Sequence, residues 1–446
     1  MHASALAGPA VDRSLLITLG VVLAAAAFLA LRRSPRLAVT VWIVVLAFVP
    51  IWIGLNIGFN GNYYVPPATA AGLLVIAALI PVGGYRPSLV DGLAVLLVVV
   101  GICSLFTGSA SIAMGSLFSV FTYFIVAYVV GRLAPLRVGV QWVHGAVAVV
   151  FTVVAALAII EGLTHWNPFV TIHTGNALDT IWGTIQERGG VPRAEGAFGH
   201  SIALGASLAL AIPLTLAAPF RLWLRGCMVL GMLLATVYTF SRIGMICALL
   251  GLVLSILFMR DAISRRARIT LVVAILAVSA VVFPLVTAVF DDAGTEASNS
   301  AGYRGDLLSL VVTMNPIGVA ASAQKDSSGS LYFGNFRSID SQFILTGLTN
   351  GWIVLIAILV ALLVATALVL TRHASPATIA LVAQIPAFAT VALITQYSIF
   401  VWFVAGLAAT SQLVPLSTSG TLLDARARAA PPSAPDSGRT PVRSPA

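Results

Sequence analysis

Long apolar segments alternate with short polar ones along the first 413 residues of this chain. Most of the apolar segments hold about 20 residues, which is the length of a helix that crosses a bilayer. They show no strand-like alternation, and lipid admits only helices or closed barrels. The pattern predicts helical spans at residues 14–31, 37–57, 67–84, 89–106, 111–131, 141–162, 200–219, 222–240, 243–259, 269–290, 345–371, 376–395 and 397–413.

These spans predict an all-α fold: a polytopic integral membrane protein with about 12–13 transmembrane helices. The number is a range because the last two spans also fit one re-entrant hairpin. Composition agrees with this class, since 59% of the residues are hydrophobic and only 9% are charged. A soluble protein normally carries about 25% charged residues.

Two long polar segments, 163–199 and 292–344, interrupt the apolar series. From about residue 414 onward the chain is rich in Pro, Ser, Arg and Ala, a composition that cannot bury an apolar core. We therefore expect one membrane domain over residues 1–413, with two large loops, and a disordered cytoplasmic tail over residues 414–446.

The arginines predict the orientation of the chain in the membrane. Short cytoplasmic loops collect Lys and Arg, and placing the loop 32–36 inside puts most of the 24 basic residues on that side. Both large loops then lie on the extracytoplasmic side. The net charge of +9 is therefore a topology signal and does not indicate nucleic-acid binding. The outer side keeps Arg13, Arg188, Arg193, Arg242, Arg304, Arg337 and Lys325.

The sequence holds none of the usual soluble-enzyme motifs in a usable context: no Walker loop, dinucleotide fingerprint, HExxH or nucleophile elbow. Its six histidines are scattered without metal-ligand spacing. Cys103, Cys227 and Cys247 fall within predicted spans, where they are expected to pack as small apolar residues. We expect no metal and no cofactor.

Three extracytoplasmic arginines, Arg193, Arg242 and Arg304, are candidate anion ligands, because a guanidinium suits phosphate and carboxylate and keeps its charge near a membrane. The alternative for each is a snorkelling arginine in a surface salt bridge. Arg242 favours function, since a charge in so short a turn lies close to the apolar layer. After Arg304, one apolar face over 307–312 predicts a helix lying along the membrane surface.

Asp340 is the carboxylate best placed for chemistry, at the entry to the span 345–371. Partial burial there would raise its pKa and make it a useful base. The competing interpretation is a helix N-cap, which Asp also favours. His200 begins a span, where the favoured interpretation is an ordinary interfacial histidine. Several aromatic residues suit either sugar stacking or an interfacial belt: Trp166, Trp182, Tyr303, Tyr332, Phe333 and Trp352.

Four local patterns, in this order and over about residues 190–355, resemble the O-antigen ligase and O-antigen polymerase superfamily of membrane proteins. The first and second resemble that family's Arg-x-x-Gly-x-Phe stretch and its Ser-Arg-Gly turn. The third and fourth resemble its large periplasmic loop and the exit from that loop. The patterns are Arg193-Ala-Glu-Gly-Ala-Phe-Gly-His200, Ser241-Arg242-Ile-Gly244, Tyr303-Arg304 to Asn315-Pro316-Ile-Gly318, and Ile339-Asp340-Ser-Gln-Phe with Gly347 to Gly351.

The resemblance implies transfer of a glycan from a polyprenyl diphosphate to an acceptor hydroxyl on a glycan or glycolipid, without metal or nucleotide. By analogy, Arg193, Arg242 and Arg304 would hold the diphosphate and Asp340 would be the base. The same resemblance implies a flippase and a chain-length regulator as partners. The expected glycan contacts are Glu195, His200, Tyr303 and Trp352.

One departure from the family pattern concerns the loop exit, where the ligase branch carries a histidine and this chain has Asp340. The departure favours the polymerase branch and weakens the assignment of the base. Two other hypotheses stay open at this point. One is a transporter or flippase of lipid-linked glycans without chemistry, and the other is a structural partner in an assembly complex.

Overall fold

The computed structural model describes residues 22, 25–57, 63–107, 110–188, 190–259, 302–303, 305–326 and 331–413. Several predictions therefore concern residues that lie outside the described ones. They are most of the span 14–31, the span 269–290, Arg304 and the tail 414–446.

The described part is mostly helical, which confirms the all-α prediction. Residues 25–33 are also helical. The helices that follow are α1 (Pro35–Phe48), α2 (Pro67–Leu79), α3 (Leu89–Ser104), α4 (Ala110–Val138), α5 (Val140–Thr164), α6 (Ala177–Trp182), α7 (Ser201–Leu216), α8 (Leu222–Tyr238), α9 (Arg242–Phe258), α10 (Gln342–Asn350), α11 (Trp352–Leu370), α12 (Pro376–Val382), α13 (Ile385–Thr390) and α14 (Thr395–Leu413).

Short hairpins and turns of 3-10 helix occupy the loops between these helices. The antiparallel hairpins are β1 (Leu55–Ile57) with β2 (Tyr63–Val65), β3 (Glu187–Arg188) with β4 (Val191–Pro192), and β5 (Ala323–Lys325) with β6 (Leu331–Phe333). The 3-10 turns are Ile51–Ile53, Phe169–Thr171, Gly196–Phe198 and Leu308–Thr313.

Three of the described helices are long and apolar enough to cross a membrane, judged by length and composition: α4, α5 and α11. The other apolar helices are shorter, with 10–17 residues. Helix α4 contains a π-helical segment at Val120–Ile125. Such segments accommodate an inserted residue within an α-helix.

Helix α7 forms the centre of the helical core. Its sequence is almost entirely Ala, Leu and other small or apolar residues, and every residue except Ile202 is buried. It packs against α5, α8, α9, α12 and α14. Small side chains allow helix backbones to approach closely, so the helices that flank the polar loops are held around one buried axis.

The C-terminal helices differ from the prediction. The span 345–371 is broken at Gly351, whose φ of 89° favours glycine and whose hypothetical Cβ would lie 2.7 Å from the Pro316 carbonyl oxygen. The span 376–395 is two short helices, α12 and α13, and a turn. The junction between them contains the buried Gln384, whose Oε1 accepts a hydrogen bond from the Tyr397 hydroxyl at 2.8 Å. Apolar composition alone does not mark either break.

The second polar segment folds into a small unit that we call the loop lobe, residues 302–303, 305–326 and 331–341. It has an apolar core of its own, which includes Leu307, Leu310, Met314, Phe333 and Ile339. The prediction of one apolar face over residues 307–312 is wrong, because the apolar side chains of this segment point in different directions. Leu307 and Leu310 point inward, whereas Leu308 and Val312 are exposed, because the segment Leu308–Thr313 is a 3-10 helix with a different period.

Candidate functional site

Two of the motif segments meet where α7 crosses α9. A Cβ built on Gly244 would lie 3.1 Å from the backbone of Gly205, and one built on Gly205 would lie 2.9 Å from Thr239 Oγ1. Glycine at both positions therefore permits the close crossing. It brings the turn before α9 against the first turns of α7. We call the resulting cluster the arginine junction, comprising residues 193–200, residues 238–242 and Glu161.

Arg193 is half-buried and joins the two segments directly. Its Nε donates to the carbonyl oxygen of Thr239 at 3.0 Å and its Nη2 donates to that of Phe240 at 3.5 Å. The neighbouring Ala194 N–H donates to the Tyr238 carbonyl oxygen at 3.1 Å. Phe240 has a φ of 48°, a left-handed conformation that is uncommon for an aromatic residue. Backbone strain of this kind tends to occur at functional sites.

Arg242 begins α9 and is also half-buried. The preceding residue, Ser241, caps the helix, with its Oγ accepting from the Gly244 N–H at 3.2 Å. Arg242 is therefore the first residue of a helix, at the positive end of its dipole, where an anion is favoured. Arg193 and Arg242 thus lie on two segments that hydrogen bonds join.

Glu161, at the end of α5, holds the Arg193 segment in place. Its Oε1 accepts from the Glu195 N–H at 3.1 Å and from Asn167 Nδ2 at 2.8 Å, and its Oε2 accepts from the Gly196 N–H at 2.9 Å. One carboxylate therefore binds the beginning and the end of the loop 163–199. Sequence analysis did not single out Glu161. The signal in the sequence that could have identified it is its place in the last turn of an otherwise uncharged span.

Glu195 is completely buried, so the expectation that it contacts a glycan does not fit this structure. Its Oε1 accepts from the Gln186 N–H at 3.2 Å. Burial raises the pKa of this carboxyl to about 8, the Gln186 hydrogen bond lowers it, and the nearby Glu161 charge raises it further. The side chain is an internal group of the arginine junction.

His200 is the N-cap of α7. Its Nδ1 accepts from the Ile202 N–H at 3.1 Å, so this nitrogen carries no proton in that bond. The imidazole packs edge-on to Trp182, with 5.6 Å between the ring centroids. These contacts give His200 a structural role as a helix cap at the edge of the arginine junction.

Asp340 lies in the loop lobe and is exposed, which overturns the expectation of partial burial. It is not the helix cap either. Ser341 caps α10, with its Oγ accepting from the Ile344 N–H at 3.4 Å, while Asp340 Oδ1 accepts from Ser338 Oγ at 2.9 Å. Tyr303 is near, because its hydroxyl donates to the Ser338 carbonyl oxygen at 2.5 Å and the Asp340 charge raises its pKa, after burial as the larger cause.

Trp352 and the other aromatic candidates occupy different environments. Trp352 begins α11 and packs beside the loop-lobe core. Its backbone N–H donates to the Asn315 carbonyl oxygen at 3.0 Å. Phe333 is buried in that core and Trp166 is exposed. The ring of Trp166 is therefore accessible for stacking on a sugar, whereas the ring of Phe333 is not.

A short segment connects the loop lobe to the arginine junction. Gln342, next to the lobe, donates its N–H to the Val391 carbonyl oxygen at 3.1 Å and accepts from the Leu393 N–H at 2.8 Å. At the other end, Gln396 Nε2 donates to the Ala197 carbonyl oxygen at 2.7 Å. Thr395 between them has a φ of 48°. The two regions are therefore tied to the same strained turn.

A cavity of about 440 Å³ lies beside this turn, between α3, α10, α11 and α14. Its wall is mainly apolar and follows one face of α11. The polar side chains in the wall include Gln342 and Asn350, near the start of α11, and Ser88 and Gln412, near its end. Among the described residues, no group of three His, Cys, Asp or Glu side chains is placed to hold a metal ion.

The sequence matches no family model and no curated protein.

Proposed function

We propose that this chain is a multi-pass membrane enzyme that transfers a glycan from a polyprenyl diphosphate to an acceptor hydroxyl on the extracytoplasmic face, as a polymerase or ligase of cell-envelope polysaccharide. The observation that carries the proposal is the arginine junction, where Arg193 is hydrogen-bonded to the turn that precedes Arg242. Such an arrangement suits a diphosphate, whose negative charge grows as it leaves. Arg304, which the resemblance adds to the pair, lies outside the described residues.

In the proposed reaction, the acceptor oxygen attacks the anomeric carbon of the donor glycan. The bond between that carbon and the phosphate oxygen breaks, and the polyprenyl diphosphate leaves with the bonding electrons. Asp340 takes the proton of the acceptor hydroxyl. Its exposure leaves the carboxylate accessible to an incoming hydroxyl, and the reaction needs no nucleotide or metal.

The apolar cavity along α11 supports the same proposal. Its volume of about 440 Å³ and apolar wall suit part of an isoprenoid chain. The cavity also contains Gln342, the residue that anchors the segment after Asp340. In this arrangement the donor lipid, the diphosphate and the acceptor would be held by neighbouring parts of one molecule, which lowers the entropic cost of bringing them together.

The experiment that tests this proposal is a measurement of glycan size by gel in a deletion strain complemented with the wild-type chain or with Arg242→Ala. A polymerase gives a long ladder with wild type and a single repeat unit with the variant. If the chain is a ligase, the variant gives full-length free polymer that lacks only its final attachment, and wild type gives attached polymer. Arg337→Ala, an exposed arginine of the loop lobe, is the matched control. Identical ladders from all three would contradict the proposal.

A second candidate is a transporter of lipid-linked glycans. The broken path from α12 through α13 to α14 favours it, because transporters often build binding sites from discontinuous helices. Gln384, Thr395 and Gln396 are buried along this path. A transporter would move the lipid-linked glycan across the bilayer and leave its glycosidic bonds unchanged.

A further inference from the structure

The arginine junction contains two buried carboxyl groups for which the proposed reaction has no use. Glu161 is 6% exposed and Glu195 is 0% exposed. Acidic side chains are almost never fully buried unless they are paired. Two of them in one cluster, beside Arg193, therefore require an explanation in terms of charge.

Hydrogen bonding distinguishes the two carboxyl groups. Glu161 accepts from the backbone N–H groups of Glu195 and Gly196 and from the Asn167 amide. Three converging donors stabilise the ionised form of a carboxylate. Glu161 is therefore the member of the pair whose oxygens are better satisfied by hydrogen bonds, and so the one better suited to carry the negative charge.

Glu195 has the opposite surroundings. Its Oε1 accepts one hydrogen bond, from the Gln186 N–H, while its Oε2 is buried without a hydrogen bond of normal geometry. The Arg193 charge and the nearby Ser201 N–H lower the pKa of this carboxyl, but burial raises it by more. Ser201 Oγ, six residues further on, is likewise buried without such a bond. A second anion here would lie beside Glu161 with an oxygen unsatisfied, whereas a protonated carboxyl avoids that cost. The raised pKa of about 8 agrees with this arrangement.

The state of Glu195 affects Arg193, because the two side chains interact electrostatically. The hydrogen bonds of Arg193 to Thr239 and Phe240 end on uncharged carbonyl oxygens. An ionised Glu195 would lower the positive potential at Arg193. His200 also faces Arg193, and its Nδ1 accepts a hydrogen bond.

Two further described elements pack near this position. The 196–198 turn also contacts α1 and α14. From α14 the contact is the uncharged amide of Gln396. On α1, the charged residue Arg36 stacks on Trp142. Among the described residues, the charged and titratable groups of the arginine junction around Glu195 are therefore Glu161, Arg193, His200 and Arg242.

We propose that the Glu161–Glu195 pair holds one proton, carried by Glu195, and that this proton raises the positive potential that Arg193 presents to an anionic diphosphate. Glu195 is thus a positioning residue that acts through Arg193. The part of the inference that concerns the ligand rests on the proposed function, whereas the proton on Glu195 does not. Binding of a diphosphate beside Glu195 would strengthen its hold on the proton, so ligand affinity and proton binding are linked.

The first test is infrared spectroscopy of the full-length protein in lipid, following the band of protonated carboxyl groups from pH 6 to pH 10. A band that disappears with a midpoint near pH 8 in wild type, and is missing from Glu195→Gln, supports the proposal. In Glu161→Gln the midpoint is expected at a lower pH, because the neighbouring charge is gone. Glu187→Gln, at an exposed position, is the control. A band unaffected by Glu195→Gln would overturn the proposal.

The second test measures binding of inorganic pyrophosphate to the same proteins across the same range of pH. Relative to Glu195→Gln, the affinity of wild type is expected to fall about tenfold between pH 7 and pH 9. An equal pH dependence in both proteins would overturn the coupling. Absence of pyrophosphate binding by every protein would contradict the diphosphate site of the proposed function, and the infrared band would then decide the proton on Glu195 alone.

Discussion

The arginine junction and the loop lobe derive from the two polar loops of the chain, yet they differ in how they hold their charged groups. In the arginine junction the carboxyl groups are buried, and Arg193 is fixed by backbone carbonyls. In the loop lobe Asp340 is exposed and bonded only to the nearby Ser338 hydroxyl among the described contacts. Charges in a desolvated, fixed arrangement act more strongly than charges in water.

Under the proposed function, the two regions would bind different substrates. A fixed, partly buried cluster suits the donor diphosphate, whose charge must be stabilised in one place. An exposed carboxylate suits an acceptor that arrives from outside. The turn 391–396 links the two through Gln342 and Gln396, so a change in one region has a short structural route to the other. The following predictions test this contrast.

The largest effect is expected from the arginines of the junction. Arg193→Ala and Arg242→Ala should each lower glycan transfer by about 10²–10³-fold, the cost of removing a preorganised charge stabiliser. Arg193→Lys should retain only part of the activity, because an ammonium lacks the rigid fork of donors. Initial rates with purified protein measure the effect. Rates within twofold of wild type for both alanine variants would contradict a role in the reaction.

The loop lobe is expected to respond to Asp340→Asn with a fall in transfer of about 10²-fold, which is typical of a lost general base. The melting temperature should stay unchanged because the side chain is exposed. Asp306→Asn, at another exposed aspartate of the lobe, is the control for local charge. Normal transfer by Asp340→Asn would remove this residue from the mechanism while leaving the arginine junction untouched.

The separate core of the loop lobe can be tested by Leu310→Ala and Val312→Ser. Leu310 is buried and Val312 is 88% exposed. We expect Leu310→Ala to cost about 2–5 kcal/mol of lobe stability and Val312→Ser to cost less than about 0.5 kcal/mol. Hydrogen exchange of the lobe measures both. Equal effects would contradict the observed division of the 307–312 face.

The buried carboxyl of the junction predicts a dependence of stability on pH. Because the pKa of Glu195 is raised to about 8 by burial, the folded chain binds a proton that the unfolded chain has already lost. Its contribution is complete below about pH 4.5 and is lost as pH rises towards 8. Between pH 5 and pH 7 the loss of stability is on the order of 2–3 kcal/mol. Thermal unfolding of Glu195→Gln should lack this component, and an unchanged pH profile would contradict it.

The smallest effect concerns the cap of α10. Ser341→Ala should cost about 1 kcal/mol, because the Ser341 hydroxyl accepts the Ile344 N–H. Thermal unfolding measures it, and Asp340→Asn provides the neighbouring control. A loss with Asp340→Asn and none with Ser341→Ala would reassign the cap to Asp340.

Much of the fold was predictable from hydropathy. The helices at 140–164, 222–238 and 242–258 lie within about two residues of the predicted spans, because long apolar runs leave the backbone few alternatives. The breaks at Gly351 and near Gln384 were not predicted, since they depend on tertiary contacts of single residues.

The candidate site was predicted less evenly. Motif order singled out Arg193 and Arg242, and hydrogen bonds join their two segments in the structure. Burial of Glu195 and the anchoring role of Glu161 were not predicted, because both arise from packing between segments distant in sequence. The sequence offered two roles for Asp340, a catalytic base and the N-cap of α10. In the structure Ser341 is the N-cap instead. A shift of one residue is beyond what cap preferences resolve.

The most direct test of the central claim uses the purified full-length chain in proteoliposomes with a polyprenyl-diphosphate-linked glycan and an acceptor glycan. The account predicts new glycosidic bonds with wild type, detected by mass spectrometry of the released glycans, and none above background with Arg242→Ala. Movement of the lipid-linked glycan across the bilayer without any new glycosidic bond would contradict glycan transfer and favour the transporter.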